Sequence, residues 1–293
     1  MPTIDIRGVP HAYELTSPPP LASNPALIFI HGWLLSRNYW QPLVARLAPT
    51  YQCLLYDLRG FGESQPIDRA KQQQRDSGGS LYSLAAYAED LQLLLEKLGI
   101  ESAWLVGHSL GGSIALWGAE IYPQVVRGII CLNAGGGIYL KEEFERFRGA
   151  GQQLVQRRPP WLAYLPFVDR LLARMAVAHP LERRWGRQRL VDLLKADREA
   201  AIGSLLDCTT EAEVHLLPQI VSRLQQPVYF FAGEKDKVME PKYVRHLASF
   251  HWLFARSGGN VIEIPDCGHL SMLEQTELVS EKIVYLLQEQ ESD

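Results

Sequence analysis

The chain predicts a doubly wound α/β fold: a mostly parallel sheet with helices on both faces, interrupted by one helical insertion. Three observations point there. Short apolar runs of strand length alternate with segments whose apolar residues recur at helical spacing. Most of those runs are apolar throughout, as strands covered on both faces must be. One long stretch, residues 135–224, carries helical patterns but no convincing strand.

Taken in order, residues 4–6 and 11–15 flank Gly8-Val9-Pro10 and predict an antiparallel hairpin that extends the sheet. Strand-length apolar runs follow at residues 26–30, 53–56, 103–106, 128–132, 228–232 and 261–264. Helical spacing marks residues 38–48, 81–98, 110–121, 241–250 and 274–288. Gly99 suits the end of the second helix and Pro241 the first turn of the fourth. Residues 66–80, polar and containing Gln72-Gln73-Gln74 and Gly78-Gly79, read as a surface loop. The expected division is a core of residues 1–134 and 225–293 with residues 135–224 as a lid. A helical insertion at the carboxyl edge of a parallel sheet lies over the place where such folds bind ligands.

Composition narrows the function. Hydrophobic residues make up 47% and charged residues 21% of the 293, a globular balance that excludes disordered and fibrous classes. A net charge of −4 argues against a general nucleic-acid binder. No apolar stretch approaches the roughly 20 residues that span a bilayer, and the N-terminal residues show no signal-peptide pattern. The expectation is therefore a cytoplasmic protein. Cys53, Cys131, Cys208 and Cys267 have no CxxC spacing, so neither a zinc ribbon nor a redox pair is expected.

The chemistry concentrates in Gly107-His108-Ser109-Leu110-Gly111, a match to G-x-S-x-G that arises by chance roughly 0.1 times in such a chain. Its context, strand before and helix after, is that of a nucleophile elbow, with Ser109 as nucleophile. A serine hydroxyl needs a base, and the base needs an orienting carboxylate. His269, in a loop just after residues 261–264, and Asp236, in the loop after residues 228–232, lie at the same sheet edge as Ser109. Glu234 is the rival acid. His108 should point away from the nucleophile. Oxyanion donors are expected from the backbone N–H of Leu110 and that of Trp33, in the loop His31-Gly32-Trp33. His31, Trp161 and Phe167 are expected to line the substrate pocket.

His31-Gly32-Trp33, the stretch Asp57-Leu58-Arg59-Gly60-Phe61-Gly62-Glu63-Ser64, the Gly107–Gly112 elbow, Gly233–Asp236 and Gly268-His269 together resemble the α/β-hydrolase superfamily. The order and spacing match from about residue 25 to 290. The resemblance implies a catalytic triad that needs no metal or organic cofactor, and it implies that Asp57 and Arg59 belong to a structural turn. It leaves the substrate open. Serine at the elbow disfavours the dehalogenase and soluble epoxide hydrolase branches, which carry aspartate there. The leading expectation is hydrolysis of an apolar or amphipathic small-molecule ester through an acyl-enzyme. A C–C bond hydrolase or elimination catalyst resembling the menaquinone-pathway branch is one alternative, and a ligand-sensing receptor is another. A monomer is expected.

Charge is unevenly spread. Residues 141–200 hold 13 Lys and Arg, 11 of them arginine, against 8 Asp and Glu; the balance of +5 leaves −9 for the rest. Aromatic residues interleave with these arginines. The arrangement is compatible with peripheral contact at an anionic lipid surface, with binding of a substrate carboxylate, or with simple solvation.

Overall fold

The computed structural model describes residues 2–17, 24–66, 80–136, 141–256 and 259–292. The expected surface loop at 66–80 therefore lies almost wholly outside the described residues.

Eight strands form one sheet: β1 (Thr3–Ile6), β2 (Val9–Leu15), β3 (Ala26–Ile30), β4 (Cys53–Tyr56), β5 (Ala103–His108), β6 (Val126–Leu132), β7 (Val228–Gly233) and β8 (Val261–Ile264). Their order is β1-β2-β4-β3-β5-β6-β7-β8. The N-terminal hairpin pairs antiparallel, and β2 adds antiparallel to β4 through Tyr13 opposite Tyr56. From β4 to β8 every pairing is parallel. The carboxyl ends of β3, β5, β6, β7 and β8 consequently share one edge.

Alternate side chains of each strand feed two cores, because successive residues point to opposite faces. Ile28, Ile30, Leu105 and Phe230 join the cluster on one face, and Leu27, Phe29, Val106 and Phe231 that on the other. The first face is covered by α2 (Leu84–Leu98) and α3 (Leu110–Ile121); the second by α1 (Gln41–Leu47) and the C-terminal α11 (Thr276–Ser292). Ser83 caps α2 by accepting the Ala86 N–H at 3.2 Å, and Gly99 ends it in the left-handed conformation. The central strands are fully buried, whereas Val261 and Ile262 of β8 are only half-buried because that strand is an edge.

Between β6 and β7 come α4 (Lys141–Gln156), a 3-10 turn (Pro160–Tyr164), α5 (Val168–Leu172), α6 (Arg183–Lys195), α7 (Arg198–Asp207) and α8 (Glu211–Arg223). None of these described residues adds a strand to the sheet. The last helix differs from the others. Leu217, Ile220 and Val221 of α8 are buried in the sheet's own cluster, and Arg223 pairs with Glu120 of α3 at 2.7 Å. It behaves as a core helix, although its sequence falls inside the expected insertion. The next elements, α9 (Pro241–Ala248) and the short α10 (Ser271–Glu274), complete the fold. Among the described residues no helix is long and apolar enough to cross a membrane.

Candidate active site

Ser109 sits between β5 and α3 with φ 51° and ψ −117°, a backbone that L-residues other than glycine adopt only under constraint. Its N–H donates to the Leu132 carbonyl at 3.0 Å, which pins the turn to β6. Crowding explains the flanking glycines: a Cβ on Gly107 would lie 2.2 Å from the Gly111 carbonyl oxygen, and one on Gly111 would lie 2.1 Å from that of Ile30. Leu110 opens α3, so its N–H has no carbonyl one turn back and points out of the helix beside Ser109. The loop after β3 abuts the same spot, since a Cβ on Gly32 would lie 3.2 Å from that of Ser109.

The candidate acid and base come from the next two strand ends. Asp236 accepts a hydrogen bond from His269 Nδ1 at 2.8 Å, leaving Nε2 of that ring as the unprotonated nitrogen when the pair is neutral imidazole and carboxylate. The Asp236 carboxylate also accepts from the backbone N–H groups of Val238 at 2.8 Å and Met239 at 3.0 Å and from Asn133 Nδ2 at 3.0 Å. Burial alone would raise its pKa; the charge of His269 and these donors outweigh burial and hold the carboxyl below the usual carboxylate value. Glu234, by contrast, is exposed and accepts the Asp266 N–H. The loop geometry therefore favours Asp236 over its rival.

Three residues that sequence reasoning did not assign hold this arrangement. Asn133, at positive φ after β6, donates from Nδ2 to Asp236 and also to the Gly268 carbonyl at 3.0 Å, tying acid loop to base loop. An Asn at a strand end, where left-handed backbone is tolerated, was the available signal. His108 is fully buried; its ring lies 4.8 Å from that of His269, and its Nε2 donates to the His269 carbonyl at 2.7 Å. Burial, helped by neighbouring His269, lowers its pKa to about 3, so it stays neutral. Glu274 of α10 accepts from the N–H groups of Gly268 at 3.0 Å, Leu270 at 2.9 Å and Ala178 at 2.6 Å. The first two flank His269 and the third belongs to the segment between β6 and β7. That segment reaches the base loop a second time, where the His269 N–H donates to the Ala176 carbonyl at 2.8 Å.

A pocket of about 90 Å³ opens over Ser109. The core contributes Trp33, Leu110, Ser113, Val238 and Met239; the segment between β6 and β7 contributes Phe144, Phe147, Ser204, Leu205, Cys208 and Thr209. The Trp33 indole forms a wall and donates from Nε1 to the Ala201 carbonyl at 2.8 Å. No lining residue among those described is basic.

The other expected pocket residues lie elsewhere. His31 is buried, donating from Nδ1 to the Gly32 carbonyl at 2.8 Å and accepting the Leu58 N–H on Nε2 at 3.0 Å. Both ring nitrogens are occupied, and burial lowers its pKa, so it braces the backbone instead of facing a ligand. Trp161 is 59% and Phe167 60% exposed, outside the pocket; it is Leu162 of the same turn that packs inward. Apolar character fixed neither residue to a particular surface.

Arg59 and Asp57 are structural. Asp57 is buried and accepts from the Arg37 N–H at 2.7 Å, the Arg37 guanidinium and the Glu63 N–H at 2.8 Å, while Arg59 pairs with buried Asp90 at 2.7 Å. Among the described residues no group of three or more His, Cys, Asp or Glu side chains could hold a metal ion.

Comparison with known proteins agrees with this fold. A family model for the α/β hydrolase fold matches residues 25–276. An uncharacterized protein of Mycobacterium tuberculosis is 30% identical over 283 residues, covering 90% of this chain and 74% of that protein. A thermophilic esterase from Thermogutta terrifontis superposes with a TM-score of 0.72 at 23% identity, over 96% of this chain and 94% of its own. The enol-lactonase from Burkholderia xenovorans gives 0.75 at 18% identity, over 98% and 100%. Family model, sheet order and elbow converge, and the chain belongs to the α/β-hydrolase family.

Proposed function

We propose that this protein is a serine hydrolase that cleaves a carboxylic ester of an apolar or amphipathic small molecule through an acyl-enzyme. The observation that carries the reading is the His269–Asp236 pair at 2.8 Å beside the elbow whose serine lines the pocket. His269 Nε2 takes the proton of Ser109 as its oxygen attacks the ester carbonyl. The backbone N–H groups of Trp33 and Leu110 receive the oxyanion, each worth about 3–4 kcal/mol in comparable sites. Collapse of the tetrahedral intermediate expels the alcohol, which leaves with the proton from His269. Water, deprotonated by the same ring, then releases the acid and restores Ser109. Asp236 holds the imidazole in the required tautomer and stabilises its cation.

The pocket supports a small, mainly apolar group next to the reacting carbonyl. A cavity of about 90 Å³ suits short acyl chains better than long ones. The absence of a basic side chain from the described lining weighs against binding a dicarboxylate there, and with it against the C–C hydrolase or elimination reading. Labelling by a fluorophosphonate separates an enzyme from a receptor.

Ser109→Ala is expected to lower kcat for p-nitrophenyl acetate or butyrate by on the order of 10⁵-fold and to abolish the label. Full activity in that variant would overturn the mechanism. An absent label on wild-type protein, with no ester turned over, would favour a non-catalytic role.

A further inference from the structure

The surface around the 3-10 turn and α5 does not serve the pocket, yet it has the composition of an interface. Six of the thirteen exposed large apolar side chains among the described residues fall between residues 161 and 175: Trp161, Tyr164 (87% exposed), Leu165, Phe167, Leu171 (63% exposed) and Met175. Exposed apolar side chains concentrated in one short stretch are uncommon on a protein that meets only water. Its charge is one-sided as well. Arg157, Arg170 and Arg174 are exposed around it, and the Arg170 guanidinium lies 5.1 Å over the Phe167 ring. The only acid from residue 157 to 175 is Asp169, which is buried and paired with Arg183 and, at 3.2 Å, with Arg187.

We propose that this face docks peripherally on an anionic lipid surface, with Trp161, Tyr164, Phe167 and Leu171 entering the headgroup region and Arg157, Arg170 and Arg174 pairing with lipid phosphates. Indole and phenol rings have one apolar body and one polar tip, which suits the boundary between headgroups and acyl chains. Charge sets the orientation. Residues 141–200 carry +5 while the rest of the chain carries −9, so a negatively charged bilayer favours approach by the segment that bears this surface. A polyanionic protein or nucleic acid would use the arginines but leave the aromatic and aliphatic tips in water; lipid uses both. The contact is superficial, since α5 spans only five residues. It is independent of which ester, if any, is cleaved.

The test is co-sedimentation of the full chain with phosphatidylcholine vesicles and with mixed phosphatidylcholine–phosphatidylglycerol vesicles at low and high salt. Binding is expected on the mixed vesicles, little on phosphatidylcholine alone, and less as salt rises. The double variant Trp161→Ser/Phe167→Ser should weaken binding by roughly tenfold or more, and Arg170→Gln/Arg174→Gln by roughly fivefold per arginine. These side chains already face solvent, so an unchanged Tm verifies that each variant is folded. No binding to mixed vesicles would overturn the proposal. So would binding that the apolar variant leaves intact, which would mark simple charge attraction. A dimer in sedimentation velocity that Trp161→Ser/Phe167→Ser dissociates, without vesicle binding, would assign the face to a second copy instead.

Discussion

The sheet edge and the segment between β6 and β7 build the same pocket by opposite means. At the sheet edge each reacting group follows a strand end, and its position is over-determined. Ser109 is strained against the Leu132 carbonyl, Asp236 accepts four hydrogen bonds, and the His269 loop is gripped from three sides. The segment above is held by long side chains reaching helix-end carbonyls: Arg158 to Leu193 and Ala196, Arg148 to Leu206 and Thr209, Arg189 to Leu172 and Met175. Part of its basic charge, Arg148, Arg158 and Arg189, therefore serves as internal bracing, as orphan carbonyls at helix ends require. Under the proposed function, chemistry belongs to the sheet edge and selectivity to the braced segment, and the two meet at Asp192, Glu274 and the pocket wall.

The largest effect is expected at Asp192 of α6, which docks on the core. Its carboxylate accepts from Ser36 at 3.1 Å and from Gln188 at 3.0 Å beneath buried Tyr39. Burial dominates those hydrogen bonds, with Tyr39 and the negative charge of Asp57 nearby, and pushes the Asp192 pKa up to about 7. A carboxyl whose pKa is higher folded than unfolded binds its proton more tightly when folded. Its stabilisation is fully present below about pH 4 and is lost as pH rises toward 7. The whole span is worth a few kcal/mol, a few degrees in Tm for a chain of this length. Asp192→Asn cannot ionise, so the wild-type minus variant difference in Tm should fall between pH 5 and 8. A difference that stays flat would mean that this seam is not closed by a protonated carboxyl.

Why one half was legible in sequence and the other only partly so follows from the same contrast. The elbow glycines, the strand before them and the helix after them are local, so Ser109 and Leu110 could be placed without knowing any long-range contact. Asp236 and His269 could be placed at the edge that carries Ser109 because parallel strands bring their carboxyl ends together, an inference from topology. In the segment between β6 and β7, by contrast, apolar spacing located helices but not the surface each would face. Phe144 and Phe147 of α4 line the pocket together with Leu205 of α7 and Cys208 just after it. Trp161 and Phe167, equally aromatic, turn outward. Glu274 was invisible for a different reason, because its partners are peptide N–H groups, which leave no residue pattern to read.

Glu274 provides the next test, since it joins the halves at the base. In the proposed reaction its role is that of a positioning residue, since it accepts the N–H groups on either side of His269. Glu274→Gln keeps the shape but turns one acceptor into a donor facing N–H groups, so the loop must shift. Displacements of that kind cost between about tenfold and a hundredfold in rate. The expectation is a loss of that size in kcat with KM within about twofold, together with a displaced acid limb in the pH profile of kcat/KM. A variant that merely lost stability would show a lower Tm with kcat per folded molecule and pH profile unchanged. That outcome would confine Glu274 to holding the fold.

The smallest effect should come from the far wall of the pocket. Phe147 belongs to α4, is half-buried, and lines the cavity opposite the elbow-bearing core without touching the hydrogen bonds around His269. Phe147→Ala lengthens the space available to an acyl chain and leaves the reacting groups alone. Each additional methylene that gains cover is worth about 0.8 kcal/mol, close to fourfold in kcat/KM. The ratio of kcat/KM for p-nitrophenyl hexanoate over butyrate should therefore rise by several-fold, while kcat for acetate stays within about twofold, since no methylene is gained there. If acetate turnover collapsed instead, α4 would be holding the reacting groups themselves, and the division between a rigid chemical half and a selective half would fail at the residue where it is easiest to check.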